Sequence, residues 1–394
     1  MKDEVNLKGL TYNTRLLYAV IPSSMYAKKD KTIDALIKAM VDDLNKLYHE
    51  GFEVRMEGAS VRMRPVWIGT KGDWPWMRKL YKLKSGFQAQ CHRKCHLCDG
   101  ADWWDMAPSS HLRNLPLGYH NPSPYWPNFR SPMFDLPGGQ DAFRIRTDPT
   151  HTYHIGYGKD ENASILVLLA QLGHFGGKGS LDAKLERAFE RFAIYCKSTR
   201  KHTSITFFSK KQFKIQQKGS FPCGGGKGHD TAVLGAWLET ELTSVSADSF
   251  ESPWREIVQV MKYMNRASCF FWRLLYTSGM FLSKESAQSA ITAGWDMVEG
   301  YAVCSSLTAA QGLRLFKCRP KLHMMGHITL ILQHELLRGA EPMNPACWMC
   351  WGDEDFIGRI SRTSRHQHSR TSPLRTLQVS LMAYKRHWNT CFTD

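Results

Sequence analysis

Three cysteines and two histidines, Cys91, His92, Cys95, His96 and Cys98, fall within eight positions of a 394-residue chain that holds 11 cysteines in all. The two-residue gap between Cys95 and Cys98 lets two thiolates grip one tetrahedral Zn²⁺ ion. Cys91 and His111 are the candidates that complete the set, with His92 and His96 as alternatives. No second Cys-x-x-Cys and no His pair follows at zinc-finger spacing, so the local sequence supplies half a site. A metal held there would be structural, tying the irregular Pro- and Trp-rich stretch 99–140 to the segment before it.

Hard-cation chemistry needs carboxylates, and a few stand in suggestive surroundings. Asp73, in Gly-Asp-Trp-Pro, follows a stretch that reads as a strand, and Asp148-x-x-His151 places an acid and an imidazole on one face of a helical turn. Glu354 lies in "WGDEDFIGRI", an acidic opening to a basic amphipathic segment. Each also has an ordinary reading, because Asp caps turns and helices and acids favour helix N-termini. His323 and His327, in "HMMGH", form an i, i+4 pair that could bind zinc on a helix, but no Glu follows the first His as in the hydrolase motif. "GGGKGHDT" lacks the Gly-Lys-Ser/Thr ending and the preceding apolar strand of a nucleotide-binding loop.

These residues must be carried by regular elements. "TRLLYAVIPSS", "ASVRMRPVWIG", "DAFRIRTD" and "HTSITFFS" read as strands, being short, rich in β-branched and aromatic residues, and bounded by turn formers. Ile33, Leu36, Ile37, Met40, Leu44 and Leu47 recur at helical spacing up to Gly51. "NASILVLLAQLG" reads as a buried helix, "SLDAKLERAFERFAIYCKS" as an amphipathic one, and 230–316 as almost wholly helical. The expected architecture is therefore α/β, with strands early and a mostly helical insertion later.

Lys and Arg outnumber Asp and Glu by 52 to 36, a net charge of +16 that makes a polyanion the leading partner class. Arg359, Arg362, Arg365 and Arg370 begin a basic tail with hardly an acid after Asp355, a candidate phosphate-contacting stripe. The 13 tryptophans, Trp103 and Trp104 among them, read as core before they read as base-stacking platforms. No apolar run reaches the ~20 residues of a membrane-spanning helix, and the cysteine density is not that of a disulfide scaffold.

The order of these motifs resembles the catalytic region of CACTA-type and related cut-and-paste DNA transposases. The resemblance runs from "TRLLYAVIPSS" to "WGDEDFIGRISRTSRHQHSRT". Asp73-Trp74-Pro75 is similar to that family's acid-aromatic-Pro motif, which precedes a Cys-Pro-x-Cys knuckle; here the knuckle is Cys95-His96-Leu97-Cys98, without the Pro. Asp148-Pro149-Thr150-His151 resembles its Asp-x-x-His, and Glu354-Asp355-Phe356-Ile357-Gly358 its final Glu motif.

The resemblance implies an RNase H-like core interrupted by a helical insertion. Its parts would be 1–90 and 141–215 of core, 91–140 of zinc knuckle, 216–346 of insertion, and 347–394 of acidic motif and basic helix. It implies Asp73 and Glu354 as ligands of two Mg²⁺ or Mn²⁺ ions about 3.5 to 4 Å apart, which activate the attacking oxygen and neutralise the leaving one. Asp148 and His151 would support them. It places His323 and His327 as packing. The family's first catalytic Asp lies on a strand upstream of "TRLLYAVIPSS", and Asp3 stands in different surroundings, so the implied core lacks its first strand and the implied nuclease is weak or inactive. DNA is the implied partner and the nucleus the implied location, with homo-oligomerisation open. The alternative is a non-catalytic basic nucleic-acid-binding or scaffold protein with a structural zinc knuckle.

Overall fold

A computed structural model describes residues 15–21, 25–27, 30–56, 58–86, 95–98, 111–116, 124–217, 219–368 and 370–391. The expectations placed on Asp3, Cys91, His92, Trp103 and Trp104 lie outside these residues. The chain divides into two units that interleave in sequence: residues described within 92–119 and 147–348 form one, and those within 6–91, 120–146 and 349–394 form the other.

The second of these begins with α1, Lys31–Glu50. Its apolar spacing buries Ile33 and Val41 and packs Ile37, Met40 and Leu44 against a cluster that includes Met77, Leu80, Tyr81, Met133, Leu136 and Ile145. Gly51 ends it as expected, at φ 72, with its N–H bonded to the Leu47 carbonyl. A side chain there would be strained, and its Cβ would meet the Met63 carbonyl at 2.9 Å. The hairpin of β1 (Phe52–Met56) and β2 (Ala59–Met63) follows, paired antiparallel from Phe52↔Met63 to Met56↔Ala59. Helix α2 covers Trp74–Tyr81, and near the C-terminus come α9 (Trp351–Arg365) and α10 (Ser372–Cys391).

The other unit is helical: α3 (Gly158–Gln171), α4 (Leu181–Ser198), α5 (Gly228–Ser244), α6 (Trp254–Thr277), α7 (Lys284–Ala310) and α8 (Pro320–Leu337). A wide π-type turn over Thr150–Tyr157 kinks at Ile155 and Gly156 and leads into α3. Helix α3 is buried all round from Asp160 to Ala170, which makes it the axis of the unit. Helix α7 is gripped from two sides because it is narrow there: a methyl at Gly300 would run into Met264 of α6, and one at Gly294 into Thr329 of α8.

The α/β expectation is wrong. Among the described residues the only sheet is the two-stranded hairpin, and no RNase H-like core is present. The strand in "ASVRMRPVWIG" ends at Met63, ten positions short of Asp73; "DAFRIRTD" holds a 3-10 turn at Ala142–Arg144; and neither 15–21 nor 202–209 forms a strand. The reason is that β-propensity measures how well a side chain packs on a pleated, half-buried surface, and a strand also needs a partner edge. In "HTSITFFS" Phe208 finds helices instead. Ile205 is buried, and Phe208 packs its ring against Phe189 and Phe192 of α4 and Trp237 of α5.

Candidate metal centre

Residues 95–98 form a bend in which the Leu97 N–H bonds back to Cys95 Sγ at 3.2 Å, and the buried Leu97 side chain anchors it. That turn aims both thiols to one side. Opposite them stands α8, which opens with Pro320 at its first position and is buried over most of its length. His323 and His327 are one helical turn apart, so both imidazoles project from one face.

The four side chains meet. Cys95 Sγ lies 3.1 Å from His327 Nε2, Cys98 Sγ lies 3.3 Å from both His323 Nε2 and His327 Nε2, and the two Nε2 atoms are 3.1 Å apart. All four donor atoms fall within 4.8 Å of one another, and every one of the four residues is buried, at 2% exposure or less. Zn–S and Zn–N bonds of about 2.3 and 2.0 Å put the edges of a tetrahedral S₂N₂ site at roughly 3.3 to 3.8 Å. The observed separations sit just inside those edges. Hydrogen bonding alone accounts poorly for two imidazole nitrogens and two sulfurs all facing one point, whereas a cation at that point satisfies them together.

The electrostatics agree. The Cys95 thiol and both imidazoles hold Cys98 well below the ordinary thiol range, while burial pushes Cys95 up. A bound Zn²⁺ would take both as thiolates. Soft sulfur and imidazole donors suit zinc, not Mg²⁺ or Mn²⁺. Four protein donors close a tetrahedral shell and leave no position for water or substrate, which is the form of a structural site.

The cluster is completed by a pair that the sequence reading set aside as packing. His111 opens a 3-10 turn at His111–Asn114, and Cys91 lies outside the described residues. The signal for the true partners was present: Cys-x-x-Cys and His-x-x-x-His together make the donor count of a Cys₂His₂ site. It was hidden because 225 residues separate Cys98 from His323.

The expected acidic residues serve local structure. Asp73 is exposed and caps α2, with Oδ1 accepting from the Trp76 N–H at 2.8 Å. Asp148 is buried and holds the start of the π-type turn, accepting from the Thr150 and His151 N–H groups at 2.8 and 3.2 Å and from His151 Nδ1. Glu354 is exposed in the first turn of α9, where the helix dipole favours an acid. Its neighbour Asp353 pairs with Arg15 at 2.6 Å and Lys71 at 2.8 Å. Among the described residues, Cys95, Cys98, His323 and His327 form the only group of three or more such side chains close enough to hold an ion, and nothing supports a Mg²⁺ or Mn²⁺ site. Arg359, Arg362 and Arg365 lie on α9, with Arg359 bonded to Asp355 at 3.0 Å, and Arg370 stands just before α10. No described helix is long and apolar enough to cross a membrane.

Comparison of the chain with protein-family models, with curated proteins and with solved structures finds no match.

Proposed function

We propose that this protein is a non-catalytic nucleic-acid-binding protein whose helical unit is stapled by zinc. The carrying observation is the closed Cys95, Cys98, His323, His327 cluster: it joins two chain segments far apart in sequence and offers no open coordination site. The net charge of +16 and the arginines of α9 supply the polyanion-binding side of the reading. The nucleus is the compartment in which such a protein would meet DNA.

Descent from a CACTA-type transposase is a second reading, supported by the folding of Cys95-His96-Leu97-Cys98 as a ligand-presenting knuckle downstream of Asp73-Trp74-Pro75. On this reading the chain retains binding and not strand cleavage. The test joins metal analysis to DNA assays. We expect one zinc per chain, duplex binding that weakens steeply with salt, and no nicking of supercoiled plasmid with Mn²⁺. Nicking that disappears in Asp73→Asn or Glu354→Gln would overturn the non-catalytic reading, and salt-independent or absent binding would overturn the nucleic-acid reading.

A further inference from the structure

Helix α10 is turned the opposite way from an ordinary surface helix. An amphipathic helix lays its apolar stripe on its neighbours and shows its polar face to water. Here Thr376 and Ser380 are buried, at 0% and 4% exposure, whereas Leu374, Leu381 and Met382 are 60%, 64% and 57% exposed and Val379 is 42% exposed. The inward side is held by local polar contacts. Helix α10 packs on α9, Ser372 Oγ donates to the Ser364 carbonyl at 3.3 Å, and Ser380 Oγ donates to the Thr376 carbonyl at 2.9 Å. Thr376 Oγ1 is buried there without a hydrogen-bond partner among the described residues, a cost that an apolar side chain facing α9 would not carry.

Leu374 and Leu381 are two helical turns apart and share one line along α10, with Met382 beside them. The apolar run from Leu374 to Met382 is about 12 Å long. Exposed cations stand at its two ends: Arg375 at the first, Lys385 and Arg386 at the second. Residues 356 to 393 contain six arginines and Lys385 but neither Asp nor Glu. The nearest acids along the chain, at the head of α9, already have partners: Asp353 pairs with Arg15 and Lys71, and Asp355 with Arg359.

The charge and the apolar run together select the occupant of this face. A second copy docking α10 on α10 would bring Arg375 onto Arg375 in a parallel pair, or onto Lys385 and Arg386 in an antiparallel one, and α10 holds no acid to answer them. A nucleic-acid backbone answers the cations but leaves Leu374, Leu381 and Met382 in water. An anionic bilayer surface does both. Its headgroups take the guanidinium and ammonium ends, while the acyl chains beneath take the apolar side chains and the stems of the basic ones.

We infer that α10 is an interfacial helix that seats on an anionic phospholipid surface, with Leu374, Leu381 and Met382 entering the boundary between headgroups and acyl chains. The helix lies along the bilayer and does not cross it, being neither long nor apolar enough to span. This inference goes beyond the proposed function and does not depend on it. Lipid binding and duplex binding are read separately on the same protein, so either can fail alone.

The test is co-sedimentation of the full chain with vesicles of phosphatidylcholine alone and of an equal mixture of phosphatidylcholine and phosphatidylserine. The parent should bind the mixed vesicles, less tightly at raised salt, and should not bind phosphatidylcholine alone. Changing Leu374, Leu381 and Met382 together to Gln should weaken binding to the mixed vesicles by about tenfold or more, with duplex binding unchanged. Unchanged zinc content and melting temperature establish that this variant folds; should the melting temperature fall, Leu374→Gln and Leu381→Gln are measured singly, and each should weaken vesicle binding. No binding of the parent to mixed vesicles overturns the inference. So does full binding by the Gln variants, since cations alone would then account for it. A parent dimer that the triple variant loses in analytical ultracentrifugation, without vesicle binding, would give the face to a second copy and overturns the lipid assignment. Loss of duplex affinity in the triple variant, without vesicle binding by the parent, gives the face to nucleic acid and overturns it equally.

Discussion

His327 Nε2 lies 3.1 Å from Cys95 Sγ although 232 residues separate them along the chain. A contact of this kind between two atoms able to ligate one ion links the 95–98 bend to α8 through a single point, so a bound metal should govern how well the helical unit holds together. A chelator, or Cys98→Ser, is expected to lower the melting temperature by on the order of 10 °C, as loss of a structural ion costs several kcal/mol. Cobalt substitution should show the visible and thiolate charge-transfer absorption of a tetrahedral S₂N₂ site. An octahedral cobalt spectrum, or full stability without metal, would sink the assignment.

Asp73 should behave as a cap. Asp73→Ala is expected to cost about 1 kcal/mol in urea unfolding by stranding the Trp76 N–H, while Asp73→Asn, which can still accept that bond, should cost a few tenths at most. Zinc content should be unaffected in both. A loss with Asn as large as the loss with Ala would point to a role for the negative charge instead.

Two buried groups of the helical unit set opposite pH limits on its stability. Burial raises Glu161 from 4.5 to about 8, with Ser268, Tyr153 and Asn265 offsetting only part of the shift. Between those values the native state keeps a proton that the unfolded chain has lost, so this contribution is fully present below 4.5 and is lost as pH rises to about 8. Burial lowers His154 from 6.5 to about 3, so its contribution is present above 6.5 and is lost as pH falls to about 3. Each slope is about 1.4 kcal/mol per pH unit, and the two cancel between 4.5 and 6.5. The stability difference between the parent and Glu161→Gln, followed by urea unfolding, should therefore change steadily from pH 4.5 to 8. A difference that does not vary with pH would refute the assignment of a neutral Glu161.

Helix α7 tolerates no bulk where it is gripped. Gly300→Val forces methyls into Met264 of α6 and is expected to destabilise by roughly 1 to 3 kcal/mol or more, whereas Ala at Gly312, where a Cβ meets nothing within 4 Å, is strained only through its φ of 71°. Differential scanning of Gly300→Ala and Gly300→Val should show a graded loss. Equal stability for both would mean that α6 and α7 can separate at no cost.

Much of the helical architecture was legible beforehand because its signal is local. The spacing of Ile33 to Leu47 and the glycine at 51 specify α1 and its end within a single window, and the unbroken apolar run in "NASILVLLAQLG" announced a helix with no exposed side. The strands were not legible in the same way. "DAFRIRTD" and "HTSITFFS" have strand-like composition, yet the residues decide only that these segments are apolar and stiff. Whether an edge exists for them to pair with is decided elsewhere in the chain.

By itself the sequence determined that thiols two residues apart would present themselves together, that imidazoles four apart would share a helical face, and that the chain would carry a large positive surplus. Those properties depend on neighbours a few positions away. Only the tertiary structure decided that the two half-sites belong to one another, that Asp73 caps a helix, and that α10 buries Thr376 and not Leu374. Each of these is a meeting of segments brought together by packing, and periodicity or spacing in one segment holds no record of which other segment it will meet.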